Sequence, residues 1–478
     1  MWAWLRRRRA PAMPSQGETP QSETPQSETP QSDAPQGGTA QSETPRAAAP
    51  DGVGQRQAWG GARRIAPERL FAADVMLRAW LAIKRAGGGA GMDGVTIAQF
   101  EANLDEELRT LQTLLASGRY QPRPVRQVWV PKARGGLRPL ALWALRDRIA
   151  QRAVYDLVAP DFEAHFLPCS FGFRPGLGVP DAVKALQAQR EAGLRWVVDA
   201  DIEDCFGSIP TDRLMTLVAQ RLPDRLLRRY IRGWLDADLM NSADGRPRKA
   251  GASQGSVLSP LLANIYLDEL DKELEKRGVS FVRYADDVAI FVSSERSAER
   301  VLASVVAWIE KHLKVPVNRD KSGSGPTDES ALLGFRLYSD GRVGVGPKSI
   351  GKLKARVREL WNAQQSLTSN QLRKQWREYV CGWWNYFKVA DWRREVERLS
   401  GWIRRHMRKC FWVRWKTPRG RINALKRLGV QGRSLGLGYT GLGAWAMARH
   451  RVMHQALKVS TLNRYGFVVP WDFAEAPA

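Results

Sequence analysis

Hydrophobic residues are distributed along the 478-residue chain in two contrasting ways. Residues 1–60 show no apolar periodicity, and within them residues 16–45 repeat a five-residue unit, Gln-Ser-Glu-Thr-Pro and close variants. A proline at nearly every fifth position forbids a helix, and nothing apolar could form a core. A disordered low-complexity tail is therefore expected over 1–60. From Pro67 the pattern changes. Leu70, Val75, Leu77, Trp80, Leu81 and Ile83 recur at three- and four-residue steps, which predicts an amphipathic helix. Similar patterns predict helices over 97–117, 145–160, 178–192, 211–237, 258–276 and 297–313. Strands are predicted over 127–131, with Gly135-Gly136 as its turn, over 196–202, and over 279–284 and 288–292, the last two flanking Ala285-Asp286-Asp287 as a hairpin. Short strands follow to about residue 346, and 349–460 reads as mostly helical.

Charge adds a location to this outline. The chain carries a net +25 with a pI near 10.3, which points to a polyanionic partner, most often nucleic acid. Residues 1–50 are neutral, with five Arg against five acids, and residues 342–478 hold 28 Lys and Arg against 7 Asp and Glu. The intervening 51–341 are left with only +4, so the positive charge belongs to the C-terminal helical region. That region also holds 10 of the 19 Trp. Interleaving such as Trp402-Ile-Arg-Arg-His-Met-Arg-Lys-Cys-Phe-Trp-Val-Arg-Trp415 suits a helix that buries one side and grips phosphate with the other. Arg404, Arg405, Arg408 and Lys409 span less than two turns, so three of them could share an exposed face. Cysteines 169, 205, 381 and 410 lack C-x-x-C spacing, and reduced thiols are expected, Cys205 as a small buried apolar residue. No run approaches the roughly 18–20 apolar residues of a membrane span. The start of the chain lacks the apolar core of a secretory signal. A cytoplasmic protein without a membrane partner is expected.

Two acidic positions fall where strands end. Asp286 and Asp287 occupy the hairpin tip, and Asp201 closes the strand before it, with Phe206 shortly after. Paired aspartates at a turn suit solvation equally well. The second site shifts the balance, because strand-end carboxylates from neighbouring strands can meet at one point. Phosphoryl transfer assisted by two divalent ions roughly 4 Å apart needs such a point. Magnesium fits, being held by few carboxylates plus substrate oxygens. Lys132 and Arg138 flank the Gly-Gly turn and could clamp a triphosphate as that hairpin closes, although alone they are an ordinary basic turn.

Further segments follow in a telling order. They are Gly91-Met-Asp-Gly-Val-Thr96, Val130-Pro-Lys-Ala-Arg-Gly-Gly-Leu-Arg-Pro-Leu140, Arg146-Asp-Arg-Ile-Ala-Gln151 and Ser170-Phe-Gly-Phe-Arg-Pro175. Next come Asp199-Ala-Asp-Ile202 with Cys205-Phe206, and the run beginning Ser253-Gln-Gly-Ser256. Tyr284-Ala-Asp-Asp287, Asn318 with Lys321, Leu333-Gly-Phe335 and Tyr379-Val-Cys-Gly-Trp-Trp-Asn-Tyr-Phe387 complete the series. In this order, from Pro67 to Trp471, the chain resembles bacterial group II intron-encoded reverse transcriptases, which are also maturases.

The resemblance implies an α+β right hand: fingers and an antiparallel-sheet palm over 61–345, then a helical thumb and maturase region over 346–478. It implies templated addition of dNTPs to a DNA or RNA primer on an RNA template. Asp201, Asp286 and Asp287 are then catalytic, with Ile202 joining them around two Mg2+ ions, for which Mn2+ could substitute. It selects Asp201 over Asp199 as the metal ligand. Lys132, Arg138, Phe206, Gln254 and Lys321 would meet the nucleotide, and Arg404, Arg405, Arg408 and Lys409 the nucleic acid. Intron RNA is an implied partner, and without paired Cys motifs the chain resembles the endonuclease-lacking type of the family. The chain departs from the family pattern at Ser253, where Pro is usual, and at Gly207, where Asp is usual. Two other readings stay open: a domesticated enzyme of phage defence or DNA repair, and a catalytically silent RNA-binding splicing cofactor.

Overall fold

The computed structural model describes residues 70–131, 137–240, 248–391 and 393–474. The expected tail over 1–60, the Gly135-Gly136 turn and Lys132 lie outside the described residues. Helices and small sheets alternate as the apolar pattern predicts. The 97–117 helix resolves into Ile97–Ala102 and Leu104–Ala116, because Asn103 leaves helical geometry with φ −123°. The long helix over 211–237 is likewise two, Thr211–Arg221 and Arg225–Leu235. Pro223 interrupts it, and Asp224 caps the second helix by accepting the Leu227 N–H at 2.9 Å.

Three sheets organise the described residues. Strands β1 (Val125–Pro131) and β2 (Leu137–Leu142) form an antiparallel hairpin that pairs Val130 with Arg138, and β1 lies parallel to β4 (Asp238–Met240), which pairs with β5 (Arg248–Lys249). The central sheet has the order β6-β7-β3-β8, from β3 (Trp196–Asp201), β6 (Ser280–Tyr284), β7 (Asp287–Val292) and β8 (Gly323–Pro326). A third sheet holds β9 (Ala331–Leu332), β10 (Phe335–Leu337) and β11 (Val343–Val345). All pairs in the central sheet are antiparallel.

The central sheet separates two hydrophobic cores. Because side chains alternate faces along a strand, Val198, Ala200, Val288, Ile290 and Phe281 enter one core with the N-terminal helices. Val197, Ala289, Phe291 and Val282 enter the other, with Trp361, Trp376, Trp383 and Trp412 of the C-terminal helices. Each Trp there is nearly fully buried. Much of the tryptophan content therefore packs the second core, and the helices Pro347–Leu360, Ser369–Phe387 and Arg393–Arg414 dock on the same sheet face that carries the acids.

Candidate active site

The alternation that sends Val198 and Ala200 inward turns Asp199 and Asp201 to the opposite face. Antiparallel register sets Asp201 directly across from Asp287, and Asp199 across from Ala289. Asp286 lies in the turn between β6 and β7. The spatial meeting of the two strand ends is thus produced by pairing. Asp201 is pinned by the following loop: Asn318 N–H donates to its carbonyl at 2.8 Å, and its own N–H donates to Ser322 Oγ at 3.0 Å. Lys321 on that loop places Nζ 3.5 Å from Asp201 Oδ1. Ile202 is buried behind, bridged to Val317.

The carboxylates crowd one another. Burial, followed by the charges of Asp286, Asp199 and Asp201, pushes Asp287 up to about 7, with Lys321 opposing. Asp287 still opens to solvent, so the crowding of charge is the durable part of that push. Partial burial of the carboxyl within an otherwise exposed residue, and then Asp201, push Asp199 up to about 6. Burial also raises Asp286, with Asp201 adding to it and Arg138 of the β1–β2 hairpin opposing. The hairpin cation expected to meet substrate is therefore close enough for the turn to feel its charge. Among the described residues, no three acidic, His or Cys side chains already close on one point as a metal cage. An open set of carboxylates is the donor chemistry that magnesium uses, since it keeps waters and substrate oxygens.

The turn itself is held from behind. Ala285 has φ 61°, an uncommon left-handed conformation for a residue with a side chain. Arg283, fully buried, donates Nη1 to the Ala285 carbonyl and to Asn264 Oδ1, both at 2.9 Å. It also makes a two-point pair with the equally buried Asp271, at 2.7 and 2.5 Å. Burial pushes the Asp271 carboxyl up, with Arg283 opposing. Asn264 in turn donates to the Gly172 carbonyl at 2.9 Å. Gly172 packs so closely on the turn that a Cβ there would lie 2.1 Å from the Ala285 nitrogen. Gly172 lies in the Ser170–Pro175 motif and Asn264 in the run from Ser253, but neither they nor Arg283 and Asp271 were expected from the sequence to support this turn. A signal existed in the adjacency of Arg283 to Tyr284-Ala-Asp-Asp287, but its partners lie far away in sequence.

The remaining predicted residues are placed as follows. Phe206 is half-buried on the short helix Cys205–Ser208, and its ring meets Phe173 edge-on at 6.2 Å. Phe173 has φ 62° and is held beside Arg174, whose Nη1 donates to the Leu167 and Ser170 carbonyls at 2.8 Å. At the Gly207 departure a Cβ would lie 2.2 Å from Asp204 Oδ2, so any side chain there displaces the Asp204 carboxylate. The Gln254 carbonyl accepts the Ala141 N–H at 2.8 Å, tying its loop to β2. Gly255, at φ 115°, passes so near that strand that a Cβ would meet the Ala141 carbonyl oxygen at 2.2 Å. Fully buried Gln151 secures the same loop by accepting from Ser256 Oγ at 3.2 Å and Val257 N at 3.1 Å. Cys205 is buried as expected, and burial and Asp286 push its thiol up to about 12.

The four C-terminal cations do not form one exposed face. Consecutive helical residues are about 100° apart, which splits them. Arg404 pairs with Asp472, the two being 12% and 8% exposed, and Arg408 is buried, donating to the Leu457 carbonyl at 3.3 and 3.1 Å. Both tie down the end of the chain. Arg405 and Lys409 point along the other stripe.

An antiparallel sheet with carboxylates at adjoining strand ends, a basic β-hairpin beside them and a helical region behind defines a palm-type nucleotidyl transferase. The reverse transcriptase (RNA-dependent DNA polymerase) family matches residues 130–337, and the group II intron maturase-specific domain matches residues 350–429. Protein YkfC of Escherichia coli (strain K12) is 33% identical over 291 residues, covering 52% of this chain and 75% of that protein. Group II intron-encoded protein LtrA of Lactococcus lactis subsp. cremoris is 32% identical over 196 residues, covering 41% of this chain and 33% of LtrA. A solved telomerase from Candida albicans with a fragment of telomeric RNA aligns at TM-score 0.39 and 12% identity, covering 65% of this chain and 63% of that one. This chain belongs to the group II intron-encoded reverse transcriptases, RNA-directed DNA polymerases joined to a maturase domain, a family that depends on divalent metal ions. No helix among the described residues is long and apolar enough to cross a membrane.

Proposed function

We propose that the chain copies RNA into DNA at Asp201, Asp286 and Asp287 with two Mg2+ ions, and that its C-terminal helices engage the RNA of a group II intron to assist splicing. The observation that carries the first part is the direct pairing of Asp201 with Asp287 at the open end of the central sheet, with Asp286 in the adjoining turn. Three carboxylates that repel one another at neutral pH are a receptor for cations. Bound there, divalent ions lower the pKa of a primer 3′-hydroxyl and neutralise charge on the departing pyrophosphate. The chain supplies the rest. Arg138 meets the triphosphate from the β1–β2 hairpin, joined by Lys132, and Lys321 meets it from the loop that also fixes Asp201. Gln254 lines the nucleotide from a loop stitched to β2. Phe206, backed by Phe173, lies under the sugar and leaves no room for a 2′-hydroxyl. The intact carboxylate set disfavours a silent splicing cofactor.

The test is incorporation of dTTP on an oligo(dT) primer annealed to poly(rA), with Mg2+. Wild-type protein should extend the primer. Asp201→Ala and Asp286→Asn should reduce extension to background while retaining RNA binding. Full activity in either variant would remove the assignment. Co-purification of a structured intron RNA that splices faster with the protein tests the maturase part, and splicing indifferent to the protein overturns it.

A further inference from the structure

The split of the cations over the helix Arg393–Arg414 leaves one stripe unexplained. Trp402, Arg405, His406 and Lys409 follow the three- and four-residue spacing of a single face. The Trp402 and His406 rings are 4.2 Å apart, and His406 meets Trp445, from the helix Ala444–Arg449, at 4.8 Å with the planes at 87°. Cations surround these rings. Lys354 Nζ and the Arg358 guanidinium lie 5.9 and 5.5 Å from the Trp402 ring centre, and Lys409 Nζ lies 4.9 Å from that of Trp445.

Three features separate this patch from the packed aromatics around it. Trp445 is 45% exposed, whereas Trp361, Trp376, Trp383 and Trp412 are buried. Unlike Arg404, the four cations Lys354, Arg358, Arg405 and Lys409 form no ion pair among the described residues. His406 is buried, and burial, then Lys409, Arg358 and Arg405, push its pKa down to about 4. Its ring is therefore neutral at physiological pH and serves as an aromatic spacer, in positive surroundings.

We propose that the exposed part of the Trp445 ring, flanked by His406, stacks an unpaired nucleobase of single-stranded RNA as Lys409 swings from the ring to join Lys354, Arg358 and Arg405 on the flanking phosphates. Single-stranded RNA offers both a free π-face and a charged backbone, the combination this patch matches. A duplex hides the base faces, and acidic side chains alone would engage the cations and leave the ring uncovered. The proposal rests on the RNA-handling reading above and adds a site distinct in chemistry from the carboxylates.

The test uses the full chain, without nucleotide or metal, and a single-stranded RNA oligonucleotide carrying 2-aminopurine, with the same sequence as a blunt duplex for comparison. Stacking on an aromatic side chain is worth ~1–3 kcal/mol per base, so Trp445→Leu should weaken single-strand binding by about 5- to 150-fold. It should also abolish 2-aminopurine quenching and leave duplex affinity within about twofold. Trp445→Phe should recover most of the binding. Lys409→Gln should lower the slope of log affinity against log salt by about 0.7, the value for one phosphate on a single strand. Equal weakening on single strand and duplex, or no weakening at all in folded Trp445→Leu, overturns the proposal and leaves a protein contact as the use of the patch. If the wild-type chain polymerises but ignores Trp445 changes, this inference alone fails. If it stacks the base but does not polymerise, only the carboxylate reading fails.

Discussion

Replacing Arg283 with Met should separate folding energy from metal-site geometry. Met keeps the apolar stem and removes a guanidinium that is fully buried and makes four hydrogen bonds: two to Asp271, one to Asn264 and one to the Ala285 carbonyl. The Asp271 carboxylate would then be buried without its partner. Breaking such a pair from one side costs about 3–5 kcal/mol, a large part of the ~5–15 kcal/mol that holds a folded protein together. For a chain of this size that corresponds to a fall in Tm of about 5 °C. The sign with pH follows. Burial already raises the Asp271 pKa in the native state. A group raised on folding binds more protons when native, so its contribution is present at low pH and lost as pH rises. The Arg283→Met deficit should therefore be largest at alkaline pH and shrink as pH falls. The double variant Arg283→Met/Asp271→Leu removes both charges and should regain most of the stability, since buried ion pairs are often replaceable by apolar residues. It should not regain divalent-ion affinity, because the bond that holds the Ala285 carbonyl, and with it the Asp286 turn, is still missing. Denaturant unfolding without metal gives the first quantity, and Mn2+ binding followed by electron paramagnetic resonance gives the second. A single variant losing less than about 1 kcal/mol, below the cost of any unpaired buried polar group, would refute the reasoning. So would a double variant that recovers both quantities.

Three other outcomes follow from the same geometry. Asp287 has its pKa raised to about 7, so its charge costs metal-free stability increasingly as pH rises from its ordinary carboxylate value toward neutrality. Asp287→Asn should therefore raise the metal-free Tm at pH 8 and change it little at pH 4, and Mg2+ should narrow the difference. Phe206→Ala should raise ribonucleotide incorporation relative to deoxynucleotide, and Phe173→Ala should do so partially through the lost edge contact of about 0.5–1.5 kcal/mol; ratios unchanged in both variants would place sugar selection elsewhere. Arg408→Ala should lower stability by about 1–3 kcal/mol by stranding the Leu457 carbonyl and leave the salt dependence of RNA binding unchanged, so a reduced salt slope would return Arg408 to the RNA surface.

The parts of the molecule legible in the sequence are those set by local pattern. The apolar run Trp196-Val-Val198 ending in acids announces the strand, and the pleat puts Asp199 and Asp201 on one face. The tight hairpin around Ala285-Asp286-Asp287 follows from the apolar runs on both sides. The adjacency of Asp201 and Asp287 required the order of the motifs, since strand pairing is a long-range fact that periodicity cannot give. What remained hidden depends on tertiary contact. Arg283, Asp271, Asn264 and Gly172 come together from three separate segments, and each alone looks like an ordinary core or turn residue. The cluster Arg404-Arg405 with Arg408-Lys409 misled for a related reason. Charge density is visible in sequence, but which stripe of a helix the C-terminal segment covers is not, and Asp472 and the Leu457 carbonyl decide it. The break at Asn103 was missed because a single polar residue does not interrupt an amphipathic pattern. Pro223 was readable in principle and was outweighed by the strong apolar periodicity around it.

The central claim is that the strand-end carboxylates gather the divalent ions of the polymerase. Iron-directed cleavage tests it most directly: Fe2+ replaces Mg2+ in the full chain with primer, RNA template and dNTP bound, and peroxide then generates radicals at the ion. The account predicts backbone cuts beside Asp201 and beside the Asp286-Asp287 turn, competed away by Mg2+ and lost in Asp286→Asn. Cuts confined to other segments, or a pattern unchanged in Asp286→Asn, would contradict it.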